Sequence, residues 1–257
     1  MTDLKFVYAG DRDISVWVLD YLLEQGVHPQ ALFLSAPGRA THANELRGMC
    51  KHLDDSAILV GKNFREKNEL DFLARLEPDY IICIHFPYII PKSILDIPKY
   101  GVLNLHPAYL PYNRGWHTPI WALFEQTPIG ATLHFMDEDV DTGDIVHQRQ
   151  LTPSSSDTAH TLYTKLKLLE FAVFKEAWPT IVNGTYQRTV QRRGIGTIHK
   201  RKDLFSPHIQ EIELDDLQLP RDLLRKLRAL TTNDISEAAY FRENGKTYRV
   251  QVTIVEE

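Results

Sequence analysis

The hydrophobic positions of this chain alternate between short continuous runs and stripes at helical spacing. Residues 4–9 form an apolar run, apolar residues between Ile14 and Leu23 recur at helical intervals, and residues 31–35 form a second run. This order predicts a strand, a helix and another strand. A chain that opens in this way forms a parallel sheet, with ligands bound beyond the carboxyl ends of its strands. We therefore expect an α/β fold with helices flanking a mostly parallel sheet.

The same two patterns continue along most of the chain. Apolar runs and alternating patterns predict further strands at residues 57–60, 79–85, 101–105, 131–136 and 144–151. Stripes at helical spacing predict helices at residues 43–52, 69–76, 92–95 and 116–124, and a long helix that follows the cap cluster 154–157 and ends near residue 184.

The composition changes near Thr185. Residues 191–196 are loop-like, and residues 220–230 have the pattern of a short basic helix. Asn244 and Gly245 predict a tight turn between a strand at 239–241 and one at 248–255.

This change predicts two domains. We expect a main domain over residues 1–190 and a small appendage, a helix plus a β-hairpin, over residues 191–257. An uncovered hairpin is marginally stable on its own. The appendage should therefore pack on the main domain or on a second subunit, which favours a homodimer.

Composition and charge exclude some classes of function. The 257 residues are 43% hydrophobic and 25% charged, as is usual for a globular protein, and no run approaches the length of a membrane span. The net charge of −5 argues against a nucleic-acid substrate, although His199-Lys200-Arg201-Lys202 is a local basic patch. The start of the chain lacks the apolar core of a signal peptide, and the two cysteines lack metal-ligand spacing. We expect a cytoplasmic protein.

The turn after the first strand carries no dinucleotide motif. Gly10-Asp11-Arg12-Asp13 does not match G-x-G-x-x-G. Arg12 could hold a substrate phosphate as a bidentate donor at this strand end, or it could be an exposed arginine near a helix start.

Three polar residues are the candidates for chemistry. Asn104 and His106 are two apart in a predicted strand and would point to the same face. A carboxylate such as Asp141 could then orient the imidazole and stabilise its charged form. This trio suits acyl transfer, with an amide donor for a developing oxyanion, a base, and an orienter for the base. Each motif alone is more often a strand end or a turn than a functional site, and the combination of the two is far more specific.

Two longer stretches resemble a known family. Residues 104–123, NLHPAYLPYNRGWHTPIWAL, and residues 137–146, DEDVDTGDIV, resemble the N10-formyltetrahydrofolate-dependent formyltransferase superfamily. The sequence of the loop, Pro-Tyr-Asn-Arg-Gly-Trp-His, is most similar to that of the sugar-nucleotide N-formyltransferases. The resemblance covers most of residues 1–190 and is weaker beyond them. It implies the Rossmann-like formyltransferase fold.

The resemblance also implies roles for individual residues. Its catalytic Asn, His and Asp fall on Asn104, His106 and Asp141. The formyl donor would be N10-formyltetrahydrofolate, and no metal would be needed. Folate contacts would come from the segment after the fourth predicted strand and from the acidic loop before Asp141. The folate-binding candidates are Phe86, Tyr88, Ile89, Asp137, Glu138 and Val140.

The implied acceptor is the amine of a nucleotide-linked amino sugar. Typical acceptors in the family are dTDP-linked 4-amino-4,6-dideoxyhexoses or their 3-amino analogues, used in surface-glycan synthesis. Some loop aromatics could instead anchor the loop itself. The acceptor-binding candidates are Arg12, Tyr112, Asn113, Trp116, His117 and Lys200.

Other functions remain open at this point. Methionyl-tRNA formyltransferase usually has a longer, basic C-terminal domain, and glycinamide ribonucleotide formyltransferase has a glycine- and serine-rich first turn. A formyltetrahydrofolate hydrolase, a metal hydrolase using His106, His117 and Asp141, and a non-catalytic module that binds folate or a nucleotide sugar are further alternatives.

Overall fold

The computed structural model describes residues 4–192 and 194–257. Residues 1–3 and Arg193 lie outside the described residues. The first three belong to the segment for which the sequence predicts no signal peptide, and Arg193 belongs to the predicted loop 191–196.

Eleven strands, eight α-helices and four short 3-10 helices occur in the described residues. The strands are β1 Phe6–Gly10, β2 Ala31–Leu34, β3 Ile58–Val60, β4 Tyr80–Ile84, β5 Gly101–His106, β6 Arg114–Gly115, β7 Ile129–Phe135, β8 Ile145–Leu151, β9 Ile198–His199, β10 Ala239–Glu243 and β11 Lys246–Val250. The helices are α1 Arg12–Glu24, α2 Ala43–Met49, α3 Lys67–Leu76, α4 Lys92–Leu95, α5 Thr118–Glu125, α6 Ala159–Val182, α7 Pro207–Gln210 and α8 Pro220–Ala229.

Seven of the strands form one sheet in the order β3-β2-β1-β4-β5-β7-β8. The first five strands of that order are parallel, and β7 runs antiparallel to β5. Every residue of β1, β2 and β4 is buried, which explains why these strands are continuous apolar runs rather than alternating ones. The expected α/β fold, a Rossmann-like and mostly parallel sheet flanked by helices, is confirmed.

The chain divides into two compact units. The first holds the described residues up to His106, together with Thr132–His147 and Glu170–Gln191. The second holds Pro107–Ala131, Gln148–Leu169 and Arg192–Glu257. The boundary predicted between residues 190 and 191 stays a prediction about domains.

Each unit has its own apolar core. In the first unit, buried side chains of β1, β2, β4 and β5 pack with Phe64 and with residues of α3 and α4. In the second unit, α5 packs against α8 and the first half of α6, and Ala239 of β10 joins the same cluster. The C-terminal helix and hairpin therefore share a core with α5 and α6.

Several predicted boundaries differ from the structure by a few residues, and two of these differences have a clear cause. The helix expected from Trp116 begins at Thr118, because His117 adopts a left-handed backbone conformation and Pro119 occupies the first turn. The final strand ends at Val250 rather than at 255. Beyond it, Gln251 and Val252 bond to Thr232 and Thr231 instead of to β10.

The hairpin itself forms as expected. β10 and β11 pair antiparallel around Asn244-Gly245, and the rings of Phe241 and Tyr248 stack with centroids 5.1 Å apart. Within residues 4–192 and 194–257, no helix is both long and apolar enough to cross a membrane.

Candidate active site

The three candidate catalytic residues lie together in the first unit. Asn104 and His106 share one face of β5 as the strand pattern requires, and Asp141 approaches both from the loop after β7. The Oδ2 atom of Asp141 is 3.5 Å from Nε2 of His106, and its Oδ1 atom is 3.5 Å from Nδ2 of Asn104. Both distances are at the long limit for a hydrogen bond. The side chains of His106 and Asp141 are only 8% and 12% exposed.

A fourth residue, His134 on β7, belongs to the same cluster. β7 pairs with β5 in a register that sets His134 opposite Asn104, and Nε2 of His134 is 3.1 Å from Nδ2 of Asn104. Nδ1 of His134 is 2.7 Å from the carbonyl oxygen of Phe135, so Nδ1 carries the proton and donates it there. Nε2 is then an acceptor. It turns the Asn104 amide so that its NH₂ group faces His134 and Asp141.

His134 is held in its neutral form. Complete burial lowers the pKa of its imidazole, and the nearby His106 adds to this, while the carboxylate of Asp141 acts in the opposite direction. Nε2 of His134 lies 3.6 Å from Oδ1 of Asp141. Because the ring is neutral, this is a contact with a carboxylate and not an ion pair. His134 was not predicted, because it shares the polar positions of an alternating strand with Thr132 and such positions usually face solvent. Only the structure shows that this face of β7 is buried.

The loop that carries Asp141 is tightly bound. Asp141 has a φ of 54°, a left-handed conformation that is uncommon for a residue with a side chain. Thr142 Oγ1 donates to Asp137 Oδ1, and the buried side chain of Gln191 donates to the main-chain oxygens of Asp141 and Gly143. Gln191 was not predicted either, because its segment has only the pattern of a loop.

This arrangement can act on a carbonyl compound. Asn104 presents an oriented N–H donor, and His106 is a buried imidazole beside a carboxylate. An amide donor stabilises negative charge on a carbonyl oxygen, and a carboxylate can orient a neighbouring imidazole. The oxygen of a carbonyl or formyl group is therefore the kind of acceptor that this N–H donor can bind. The role of each residue in catalysis stays a prediction.

The six folate candidates also lie in the first unit. Phe86 and Tyr88 are half-buried in an aromatic cluster with Phe64 and Phe33, and Ala36 N donates to the Tyr88 hydroxyl at 3.1 Å. Ile89 is 76% exposed. In the acidic loop, Glu138 forms an exposed ion pair with Lys92 at 2.7 Å. Exposure is also high at the two neighbouring candidates, Asp137 and Val140.

Arg12 is exposed at the start of α1 and has a φ of 71°. Its backbone is fixed by Asp11, which is buried and accepts hydrogen bonds from the backbone N–H groups of Arg12, Thr41 and His42 and from the hydroxyl of Ser35. Contact between Arg12 and a substrate phosphate stays a prediction.

The acceptor candidates of the loop lie in the second unit. Asn113 is buried and its Nδ2 donates to Thr127 Oγ1 at 2.9 Å, while its backbone N–H donates to Thr197. These contacts support the loop-anchoring alternative for Asn113. Nδ1 of His117 lies 3.3 Å from Glu237.

The remaining acceptor candidates are more accessible. Trp116 is 45% exposed, and the guanidinium of Arg201 lies 5.6 Å from its ring centroid. Lys200 is exposed and Tyr112 is half-buried. Within the described part of the chain, no three His, Cys, Asp or Glu side chains are grouped so that they could hold a metal ion.

Comparison with known families gives two matches. The Formyl transferase profile matches residues 36–178, and the profile of the N-formyltransferase dimerization C-terminal domain matches residues 206–256. The first match covers more than half of the chain.

Individual relatives are formyltransferases of two kinds. A methionyl-tRNA formyltransferase of Bacillus licheniformis is 29% identical over 254 residues, which are 96% of this chain and 77% of that protein. The crystal structure of a 4-N formyltransferase from Francisella tularensis superimposes with a TM-score of 0.83 at 23% identity over all of both chains.

A third relative was crystallised with its ligands. The formyltransferase PseJ of Anoxybacillus kamchatkensis, in complex with UDP-4,6-dideoxy-4-formamido-L-AltNAc and tetrahydrofolate, superimposes with a TM-score of 0.59 at 26% identity over 88% of this chain and 98% of that one. The fold, the profile match and these relatives agree with one another. The chain belongs to the formyl transferase family and is a formyltransferase.

Proposed function

We propose that this enzyme transfers the formyl group of N10-formyltetrahydrofolate to the amine of a nucleotide-linked amino sugar. The acceptor would be a dTDP-linked amino-dideoxy sugar, of the 4-amino-4,6-dideoxyhexose type. The product would serve surface-glycan synthesis, such as that of the O-antigen of lipopolysaccharide, in the cytoplasm. The observation that carries the proposal is the oriented donor set of Asn104, His106 and Asp141 in a formyltransferase fold.

The residues of the cluster divide the work. The lone pair of the acceptor amine forms the new C–N bond, the bond between the formyl carbon and N10 breaks, and one amine proton passes to N10. Nδ2 of Asn104 donates to the formyl oxygen as it gains negative charge, and it is aimed by the acceptor atom Nε2 of His134. His106 takes the amine proton and returns it to the leaving nitrogen, while Asp141 stabilises the protonated ring.

Fold and charge support a sugar acceptor. The full-length superposition is on a 4-N formyltransferase, and the relative with 26% identity was crystallised with a formamido sugar nucleotide. The net charge of −5 is unlike that of a protein that grips RNA by its phosphates. We assign Arg12, Tyr112, Trp116, His117 and Lys200 to the acceptor and Phe86, Tyr88, Ile89, Asp137, Glu138 and Val140 to folate.

One observation favours a second candidate. A methionyl-tRNA formyltransferase aligns with 96% of this chain, and further relatives of that name match at similar identity. Formylation of methionyl-tRNA is therefore the alternative that any test of the acceptor must include.

A turnover panel tests the acceptor. Purified enzyme and N10-formyltetrahydrofolate are mixed with dTDP-linked 4-amino and 3-amino sugars, a UDP-linked 4-amino sugar, methionyl-tRNA, glycinamide ribonucleotide or buffer alone, and release of tetrahydrofolate is followed by absorbance. We expect release with a dTDP-linked amino sugar. Release of tetrahydrofolate only with methionyl-tRNA would overturn the proposed acceptor. If no acceptor gives release although the protein still binds folate, the protein is a binding module.

The variant Asn104→Ala, measured with the best acceptor of that panel, tests the mechanism. Loss of one oriented donor should lower kcat about a hundredfold or more while the protein remains folded. A variant whose kcat stays near that of the wild type would remove Asn104 from the mechanism.

A further inference from the structure

The conformation of Asp141 needs support from its surroundings. A residue with a side chain is strained at a φ of 54° and keeps this conformation only where neighbouring groups hold it. The side chain of Asp141 reaches His106 from a loop, so the direction of its carboxylate depends on the direction of that backbone.

One side of the loop is held by β7. The N–H group of Phe135 donates to the carbonyl oxygen of Asp144 at 2.9 Å. Gly143 lies so close to β7 that a β-carbon on it would be 2.0 Å from the carbonyl oxygen of Phe135.

The opposite side is held by residues 188–191. Thr189 and Ile145 exchange two backbone hydrogen bonds of 2.9 Å each, and Nε of Arg188 donates to Asp144 at 3.0 Å. Gln191 completes the set from a position where only 7% of its surface is exposed. Its Nε2 donates to the main-chain oxygen of Asp141 at 2.9 Å and to that of Gly143 at 2.7 Å.

We infer that Gln191 is a positioning residue that holds the Asp141 turn in the conformation required for formyl transfer. The inference rests on the proposed function for the role of Asp141. The two hydrogens of one buried amide bind the carbonyl groups of the residues before and after Thr142, so the Gln191 side chain links both ends of the turn. Gln191 acts through the backbone of Asp141 and is not itself catalytic.

The substitution Gln191→Met in the full chain tests this. Methionine has a similar length and volume but no donor, so the two bonds disappear while the space stays filled. We expect kcat to fall about tenfold or more with the KM of both substrates within about twofold of wild type, as befits loss of transition-state stabilisation. A kcat within about twofold of wild type would overturn the inference.

A matched control exists elsewhere in the chain. Gln210 is also buried, and its Nε2 donates to the main-chain oxygens of Ser236 and Ala238 at 2.8 and 3.3 Å. Gln210→Met removes an equivalent pair of bonds far along the sequence from Asp141. We expect it to lower stability comparably and to leave kcat unchanged; an equal fall of kcat in both variants would show a general effect of destabilisation and contradict the inference.

A double-mutant cycle separates positioning from structure. If Gln191 acts only through Asp141, Gln191→Met should have almost no further effect on kcat in an Asp141→Asn background. Two fully additive losses would overturn the inference. Gln191→Asn, which keeps the amide but withdraws it by one methylene group, replaces Gln191→Met in the cycle if the latter does not fold.

Hydrogen exchange provides a readout that needs no acceptor. Gln191→Met should accelerate exchange of the backbone amides of residues 141–145, whereas Gln210→Met should not. Unchanged protection there would overturn the inference even if the acceptor were methionyl-tRNA, and faster exchange would support it even if the sugar panel failed.

Discussion

His134 and Asn104 form a pair in which a neutral ring sets the direction of an amide. The neutral state follows from burial, because the ring is fully enclosed and its Nδ1 proton is committed to the carbonyl oxygen of Phe135. A protonated Nε2 could not accept from Asn104, so protonation would reverse the orientation of the donor that acts on the formyl oxygen.

The lowered pKa of His134 predicts how stability depends on pH. In the unfolded chain a histidine titrates near 6.5, whereas in the folded protein the pKa of His134 lies lower because of burial. Below about pH 6.5 the unfolded state binds a proton that the folded state does not, so this group destabilises the fold as the pH falls towards the folded-state pKa. Above about pH 6.5 neither state binds this proton, so the penalty from His134 is absent there.

Chemical denaturation of wild type and His134→Gln measures this effect. Between pH 7.5 and 5.5, the free energy of unfolding of the wild type should fall more steeply than that of the variant, by up to about 1.4 kcal/mol per pH unit. Equal slopes for the two proteins would show that His134 titrates alike in both states and would contradict the neutral assignment.

At this scale, prediction from the sequence succeeded where covalent geometry decides. Asn104 and His106 had to share a face because strand side chains alternate, and the structure places them so. His134 and Gln191 reach the trio through the register of β7 and through a non-regular segment 50 residues after Asp141. Neither relation leaves a periodic pattern in the sequence.

The acceptor loop shows the same limit at the scale of elements. Strands β6 and β9 are two residues long and join segments 84 residues apart, with Arg114 opposite Ile198 and Gly115 opposite His199. So short a pair has no detectable alternation, and the loop around it could be predicted only as a loop. In contrast, the boundaries of most longer helices and strands follow their apolar patterns.

Two glycines near β9 distinguish crowding from backbone freedom. Gly194 and Gly196 have φ values of 74° and 97°, so both are unsuited to a residue with a side chain. A β-carbon on Gly196 would lie 1.9 Å from the carbonyl oxygen of Pro111, whereas one on Gly194 would meet nothing within 4 Å.

We expect Gly194→Ala to lower the free energy of unfolding by roughly 1–2 kcal/mol, through backbone strain alone. Gly196→Ala should cost roughly 2–4 kcal/mol, because the clash with Pro111 must also be relieved by moving the loop. Denaturation curves compare the two, and the KM for the acceptor should rise only for Gly196→Ala. Equal stability losses would mean that the close approach of residues 111 and 196 is unimportant.

At the scale of the whole molecule, the order of strands and helices was the strongest prediction. The βαβ opening predicted a parallel sheet, and five neighbouring strands of the observed sheet are parallel. The path of the chain after β11 was not predictable, because Gln251 and Val252 bind distant residues through single polar contacts. Which residues form a subunit interface depends likewise on surface shape, which no pattern along the chain encodes.

The C-terminal region nevertheless carries the features of an interface. Residues 206–256 match a dimerization domain, and within them Leu217 is fully exposed and Leu219 is 68% exposed. When a second subunit covers large apolar side chains that are this exposed, their removal from water stabilises the complex. We propose that the enzyme is a homodimer that buries these leucines.

Sedimentation of the full chain at micromolar concentration checks this. The wild type should sediment at twice the mass of the chain, and Leu217→Asp/Leu219→Asp should shift it towards the monomer, because two carboxylates would have to be desolvated in the interface. Leu168→Asp is the matched control. Leu168 is 61% exposed on α6 and lies outside residues 206–256, which match the dimerization domain. Its replacement should therefore leave the dimer intact. A monomeric wild type would refute the dimer, and a dimer insensitive to the paired substitution but lost in Leu168→Asp would move the interface to α6.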